Sequence, residues 1–132
     1  ARAAAVAGAA VLPLVGLVAA GLGQSEVAVV ERSGRLLAAT GSPYVTAPAA
    51  VGDFNPYLPG MALFGVLPGD PRWWTGGAFV GALVAAGVRR VGPLLACPLV
   101  ALPLAVGGVD LPVAGLMCLG LAQAGRGRPG GA

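Results

Sequence analysis

The chain has no histidine and no lysine, so carboxylates and guanidiniums are its main acid–base and anion-binding groups. They are not spread evenly. Three of the five acids, Glu26, Glu31 and Asp53, fall within residues 26–60, together with Arg32 and Arg35. Arg72 follows shortly after, in a stretch made largely of Ala, Val, Leu, Gly and Pro. Any acid–base or phosphate chemistry belongs to this polar segment. Taken alone, Glu26 has a plainer role as a negative charge at a helix N-terminus, where the dipole favours it. Asp53 reads as a turn former and Asp110 as a helix cap.

Metal and cofactor chemistry find little footing. Cys97 and Cys118 sit in apolar runs without a neighbouring second Cys, so they read as small packing residues and not as a zinc site. One or two scattered acids do not build an oxygen cage, and metal use stays open. No Walker loop or dinucleotide fingerprint is present. Gly107-Gly108 stands in a turn without the Lys and spacing that a phosphate loop needs. No cofactor is therefore expected.

The elements that would position these groups are unusually greasy. Of 132 residues, 57% are hydrophobic and 10% charged, against about 25% charged in a typical soluble domain. So little polar surface cannot cover a water-facing globule, and the lipid bilayer is the expected surrounding. The net charge of +3 is sparse and forms no continuous stripe, which excludes nucleic acid as a partner. The absence of Lys, His and Ile beside abundant Ala, Gly, Pro and Arg points to a GC-rich coding sequence. The start at Ala1 and the Gly/Pro/Arg-rich close read as a fragment or a truncated gene product.

In chain order, residues 3–22 carry no charge and are long enough to span roughly 30 Å of hydrocarbon. A cleaved signal peptide is the rival reading, although its apolar core would be long for that role. Ser25 is the expected N-cap of a helix from 26 to about 40, stopped by Gly41. Val27, Val30, Gly34 and Leu37 share one face; Glu31, Arg32 and Arg35 lie largely on the other, with Glu31 and Arg35 at favourable i,i+4 spacing. Such a helix suits the membrane interface, or it packs as a short solvated helix on its neighbours. Residues 59–67 give a short apolar helix between turns at 41–43 and 69–71. Tyr44, Phe54, Tyr57, Trp73 and Trp74 mark the headgroup level.

Residues 73–88, 91–106 and 111–124 are further candidate spans, the third run interrupted by Pro93, Pro98 and Pro103 and either crossing or re-entrant. A Gly77-x-x-x-Gly81 spacing could pack helices closely. The fold class expected is all-α: one polytopic membrane helical bundle of about four spans. Its outer segment, 23–72, carries the amphipathic interfacial helix. With both termini cytoplasmic, Arg2, Arg89, Arg90, Arg126 and Arg128 fall inside and all five acids outside, consistent with a multi-pass cell-membrane protein.

The ordered set of residues in the outer segment resembles the start of the family 87 integral-membrane glycosyltransferases. These belong to the C superfamily and depend on polyprenol-phosphate sugars. The first outer loop of that family carries an acid, an aliphatic, any residue, then Val-Tyr, followed by a Gly, a Leu-Leu pair and a Tyr. Here the set reads Glu26-Val27-Ala28-Val29-Val30, then Gly34, Leu36-Leu37 and Gly41-Ser42-Pro43-Tyr44. NPYLPGMALFG, GDPRWW and PLVALPLAVGGVDLPVAGLMCLGLA are similar to an actinobacterial branch. The likeness covers most of this chain but only the N-terminal part of a family member. Glu26 stands where the family has Asp, and Val30 where it has an aromatic.

The resemblance implies a hexosyltransferase, mannosyltransferase-like, that moves a sugar from polyprenyl phosphate to an acceptor hydroxyl on the outer face. Glu26 would be the general base. Arg72, Arg32 and Arg35 would bind the donor phosphate, which suits a permanently charged, forked donor. The competing expectation is a non-catalytic small integral membrane protein. A transporter needs a charge buried mid-span, and none of the runs carries one.

Overall fold

Proline and glycine set the helix lengths. The computed structural model describes residues 2–127, so Arg128 lies outside the described residues. The first apolar run is divided into α1 (Arg2–Val6), a π-helical turn (Ala7–Val11) and α2 (Leu12–Ala19). Pro13 has no N–H for the Ala9 carbonyl and its ring crowds that turn; a widened π turn just before it relieves both problems. The third run breaks at Cys97, which is extended at φ −70°, ψ 129° because Pro98 disfavours the helical region for the residue before it. The run becomes α6 (Val91–Ala96) and α7 (Pro98–Val106).

The remaining elements lie close to their expected bounds. α3 runs Ser25–Thr40, with Gly41 in the left-handed region at φ 76° as its C-cap. Gln24, and not Ser25, holds the N-cap position, without a side-chain cap bond. α4 is Pro59–Val66, α5 Pro71–Ala85 and α8 Leu111–Arg126, each with proline in its first turn, where the missing N–H costs nothing.

The four-span polytopic bundle is overturned by these lengths. No helix among the described residues is long and apolar enough to cross a membrane. α5 stops after 15 residues, at the Gly87 turn with φ 85°. α8 has 16 residues. What forms is an all-α assembly of short helices. Pro13 and Pro98 divide the first and third runs, while the second and fourth, 16 and 14 residues long in the sequence, fold as helices of 15 and 16 residues.

Two cores hold the helices together. Ala10 and Leu14 from the first run, Phe79 and Leu83 from α5, and Ala101, Leu104 and Ala105 from α7 form the larger. Val30 of α3, Met61 of α4 and Val109 form the smaller, with Tyr57 and Phe64 against it. α3 and α4 meet backbone to backbone: a Cβ on Gly34 would strike the Gly65 backbone, and one on Gly65 would strike the Val30 carbonyl. Gly115 of α8 similarly lies against Phe79 and Ala82 of α5. Gly77 and Gly81, the pair with close-packing spacing, face open space instead. Cys97 is half-buried and free, and Cys118 is free and exposed, contrary to its reading as a packing residue.

Candidate functional site

Arg72 is the most deeply placed charge described, 3% exposed in the first turn of α5. Its Nε donates to Asp70 Oδ1 at 2.9 Å and its Nη2 to Asp70 Oδ2 at 2.7 Å, a two-pronged pair. Nη1 donates to the Leu22 carbonyl at 2.7 Å and to the Ala105 carbonyl at 3.2 Å. Both carbonyls lie at or just past helix C-terminal ends, which lack intrahelical partners and carry partial negative charge. Asp70 is also the N-cap of α5, accepting from the Arg72 backbone N–H at 2.9 Å. Arg72 therefore ties the ends of α2 and α7 to the start of α5, with four of its five N–H bonds in use. Asp70–Arg72 is the ion pair found among the described residues; the Glu31–Arg35 pair of the sequence reading is not closed.

Beside this lock is a polar concavity of about 290 Å³. Gln24, Ser25, Glu31, Asp70 and Arg72 contribute its polar side chains, and the 21–23 link contributes backbone. Glu26 does not line it. Glu26 is half-buried in the first turn of α3 and accepts from the Ser25 hydroxyl at 3.2 Å. Its charge instead reaches Tyr57. Burial pushes the Tyr57 phenol above its ordinary value of 10, and the negative charges of Glu26 and Asp110 add to that. Asp110, exposed at the start of α8, borders a second cavity of about 490 Å³ formed with Gln24 and the turn from α7 to α8. Glu26, Tyr57 and Asp110 thus share one locality.

The start of α3 is held in place from outside. The Gln24 N–H donates to the Val106 carbonyl at 2.9 Å, tying it to the end of α7. Gly107, at φ 128°, lets the chain pass against Val27, whose Cγ2 occupies the space a side chain would need.

The remaining predicted arginines point elsewhere. At about 100° per residue, Arg35 lies roughly opposite Glu26 on α3 and Arg32 well round from it. Arg32 Nη2 donates to the Phe54 carbonyl at 3.4 Å. Its charge lies near Asp53, whose carboxyl is held below its ordinary value of 3.8 mainly by the Ala50 and Ala49 backbone N–H groups, at 2.9 Å each. Asp53 is therefore the turn former that was expected. Arg35 is exposed. The three arginines and Glu26 do not converge on one point.

Sequence reasoning missed two relationships. Asp70-Pro71-Arg72 carried the signal for one, an N-cap acid followed two residues later by arginine inside an apolar sequence. The Glu26–Tyr57–Asp110 locality joins positions far apart in the chain and left no local trace. No group of three or more acids or cysteines suited to a metal ion occurs among the described residues. Comparisons with protein-family models, curated proteins and solved structures gave no match.

Proposed function

We propose that this chain forms part of a glycosyltransferase that moves a sugar from a polyprenyl-phosphate donor to an acceptor hydroxyl, with Glu26 as general base. The observation that carries this reading is the position of Glu26. It is a half-exposed carboxylate on the first turn of a sixteen-residue helix fixed at both its start and its middle. A base must be placed within a fraction of an ångström of the proton it takes, and a packed helix end provides that better than a loop. Glu26 takes the proton from the acceptor hydroxyl as its oxygen attacks the anomeric carbon. The bond from that carbon to the phosphate oxygen breaks, its electron pair leaves with the lipid phosphate, and configuration inverts. None of the three arginines is placed beside Glu26 to take the phosphate: Arg35 and Arg32 lie round α3 from it, and the guanidinium of Arg72 is committed to Asp70, Leu22 and Ala105.

Transfer is measured with the chain in lipid vesicles, using radiolabelled polyprenyl-phosphate mannose and a hydroxyl acceptor. Glu26→Gln is expected to lower the rate about a hundredfold or more, the usual share of a general base, with helix content unchanged. Transfer undiminished by Glu26→Gln removes Glu26 from the chemistry. Transfer by the wild-type chain removes the second reading, a non-catalytic small membrane-associated protein. The commitment of Arg72 to a structural lock and the scatter of the other arginines favour that second reading.

A further inference from the structure

The cavity between Gln24 and the turn from α7 to α8 has the make-up of a ligand site. Its volume is about 490 Å³, inside the range of about 300–1,000 Å³ usual for small-molecule pockets. Leu102, Pro103 and Val106, on one face of the C-terminal half of α7, form one wall. Leu111 and Ala114 of α8 form the other. Two polar side chains, those of Gln24 and Asp110, complete the lining. Apolar walls with a few convergent polar groups are the usual form of a binding pocket.

The walls are anchored. The Gln24 N–H donates to the Val106 carbonyl at 2.9 Å, and the Gly108 N–H to the Pro103 carbonyl at 2.6 Å. A Cβ on Gly108 would come within 2.9 Å of Pro103, so the turn packs directly on α7. A cavity held in this way exists before any ligand arrives, which keeps the ordering cost of binding low.

Asp110 sets the sign of the ligand. It holds the N-cap position of α8, yet its side chain takes no cap bond there. The ion pair found among the described residues belongs to Asp70. The negative end of α7 adds to the Asp110 charge, and the positive end of α8 opposes it. Each helix end carries about half a charge, so the two ends roughly cancel and the full charge of Asp110 remains. Glu26 acts from the same locality: after burial, its charge and that of Asp110 push the Tyr57 phenol up. An anion is repelled here. A purely apolar ligand would strip water from the carboxylate and return nothing for it. An ammonium on a hydrocarbon body answers both the carboxylate and the walls.

We propose that this cavity binds an amphiphilic amine, its ammonium held by the Asp110 carboxylate and the Gln24 amide oxygen and its hydrocarbon chain laid along Leu102, Val106 and Leu111. Glu26 does not line this cavity, so amine binding and sugar transfer stand or fall separately.

The test is isothermal titration calorimetry of the full chain with three monomeric probes of equal chain length: octylammonium, octanol and octanoate. Octylammonium is expected to bind about fivefold tighter than octanol, the upper share of an ion pair open to water. Octanoate binds more weakly than octanol. Asp110→Asn brings octylammonium down to the level of octanol and leaves octanol unchanged. Ala114→Trp fills the cavity from α8 and weakens both probes. Leu102→Gln, at a position 64% exposed and outside the core, also weakens both and keeps the wall testable if the tryptophan variant misfolds. Circular dichroism checks helix content in each variant. Equal affinity of wild type for octylammonium and octanol overturns the proposal, as does an ammonium preference that survives Asp110→Asn. Binding undiminished by the wall changes places the probes elsewhere on the chain and overturns it too.

Discussion

The two ends of the α5–α8 pair use the same residue type in opposite ways. At the start of α5 one arginine is buried to 3% exposure, and its donors are assigned to Asp70 and two helix-end carbonyls. At the far end Arg89, Arg90 and Arg126 are exposed, and the bonds formed there run from Arg126 to two carbonyls. A buried guanidinium is tolerable only when nearly every N–H finds an acceptor, because an unpaired buried charge costs several kcal/mol. An exposed one gains little from a neighbour and remains open to an outside anion. Burial, and not residue type, separates the two ends.

The largest effect follows from breaking the lock. Arg72→Ala leaves the Asp70 carboxylate without its partner and strips the Leu22 and Ala105 carbonyls of their donor. A loss of about 3–5 kcal/mol of stability is expected, the usual cost of removing one member of a buried pair. Arg126→Gln should change stability by less than about 1 kcal/mol. Denaturant unfolding followed by circular dichroism measures both, and equal losses would erase the distinction between the two ends.

Glycine repeats that contrast at a smaller scale. Gly34→Ala places a methyl group into the Gly65 backbone, where neither helix has a flexible side chain that could yield. Overpacking of this kind costs about 1–3 kcal/mol. At Gly81 an added Cβ meets open space, and alanine is the better helix former by about 1 kcal/mol. Gly81→Ala should therefore stabilise slightly while Gly34→Ala destabilises. Melting temperatures of the pair decide this, and a drop at Gly81 matching that at Gly34 would show that the open surface is in fact closed.

Much of the element pattern was legible because it rests on local chemistry. Gly41 stops α3, Pro59 and Pro71 open α4 and α5, and Gly107 turns the chain before α8. Each follows from the conformations that proline and glycine favour or forbid. The apolar face of α3 was legible too, since Val27, Val30 and Gly34 are all buried. The division of the first run was not: Pro13 reads as a kink within one helix, and a π turn before it splits the run. Pro98, read as an interruption of the third run, does break it at Cys97. In α8, nearly apolar on every side, sequence could not select the packed face, so Cys118 was placed inside and lies outside. The role of Arg72 was hidden for another reason. Its acceptors Leu22 and Ala105 lie fifty residues before it and thirty-three after, and no pattern in the chain announces a carbonyl as a partner.

Acid offers a gentler way to open the lock than mutation. Burial pushes the Asp70 carboxyl up, but hydrogen bonds from the Arg72 guanidinium and backbone N–H, together with the guanidinium charge, outweigh it and leave the carboxyl below its ordinary value of 3.8. A carboxyl lowered on folding contributes stability that is fully present above its unfolded value. That stability is lost as pH falls through the lowered folded value. The chain should therefore hold its stability down to about pH 4 and lose it progressively below. Asp70→Asn is less stable at neutral pH but should fall less steeply in acid. Some decline persists in that variant, because Asp53 is also lowered by folding, through the Ala50 and Ala49 backbone N–H groups in the loop after α3. Melting temperature against pH for the two chains separates these contributions. The difference between the curves belongs to the Arg72 end, so superimposable acid limbs would mean that the charge of Asp70 does not hold that end together.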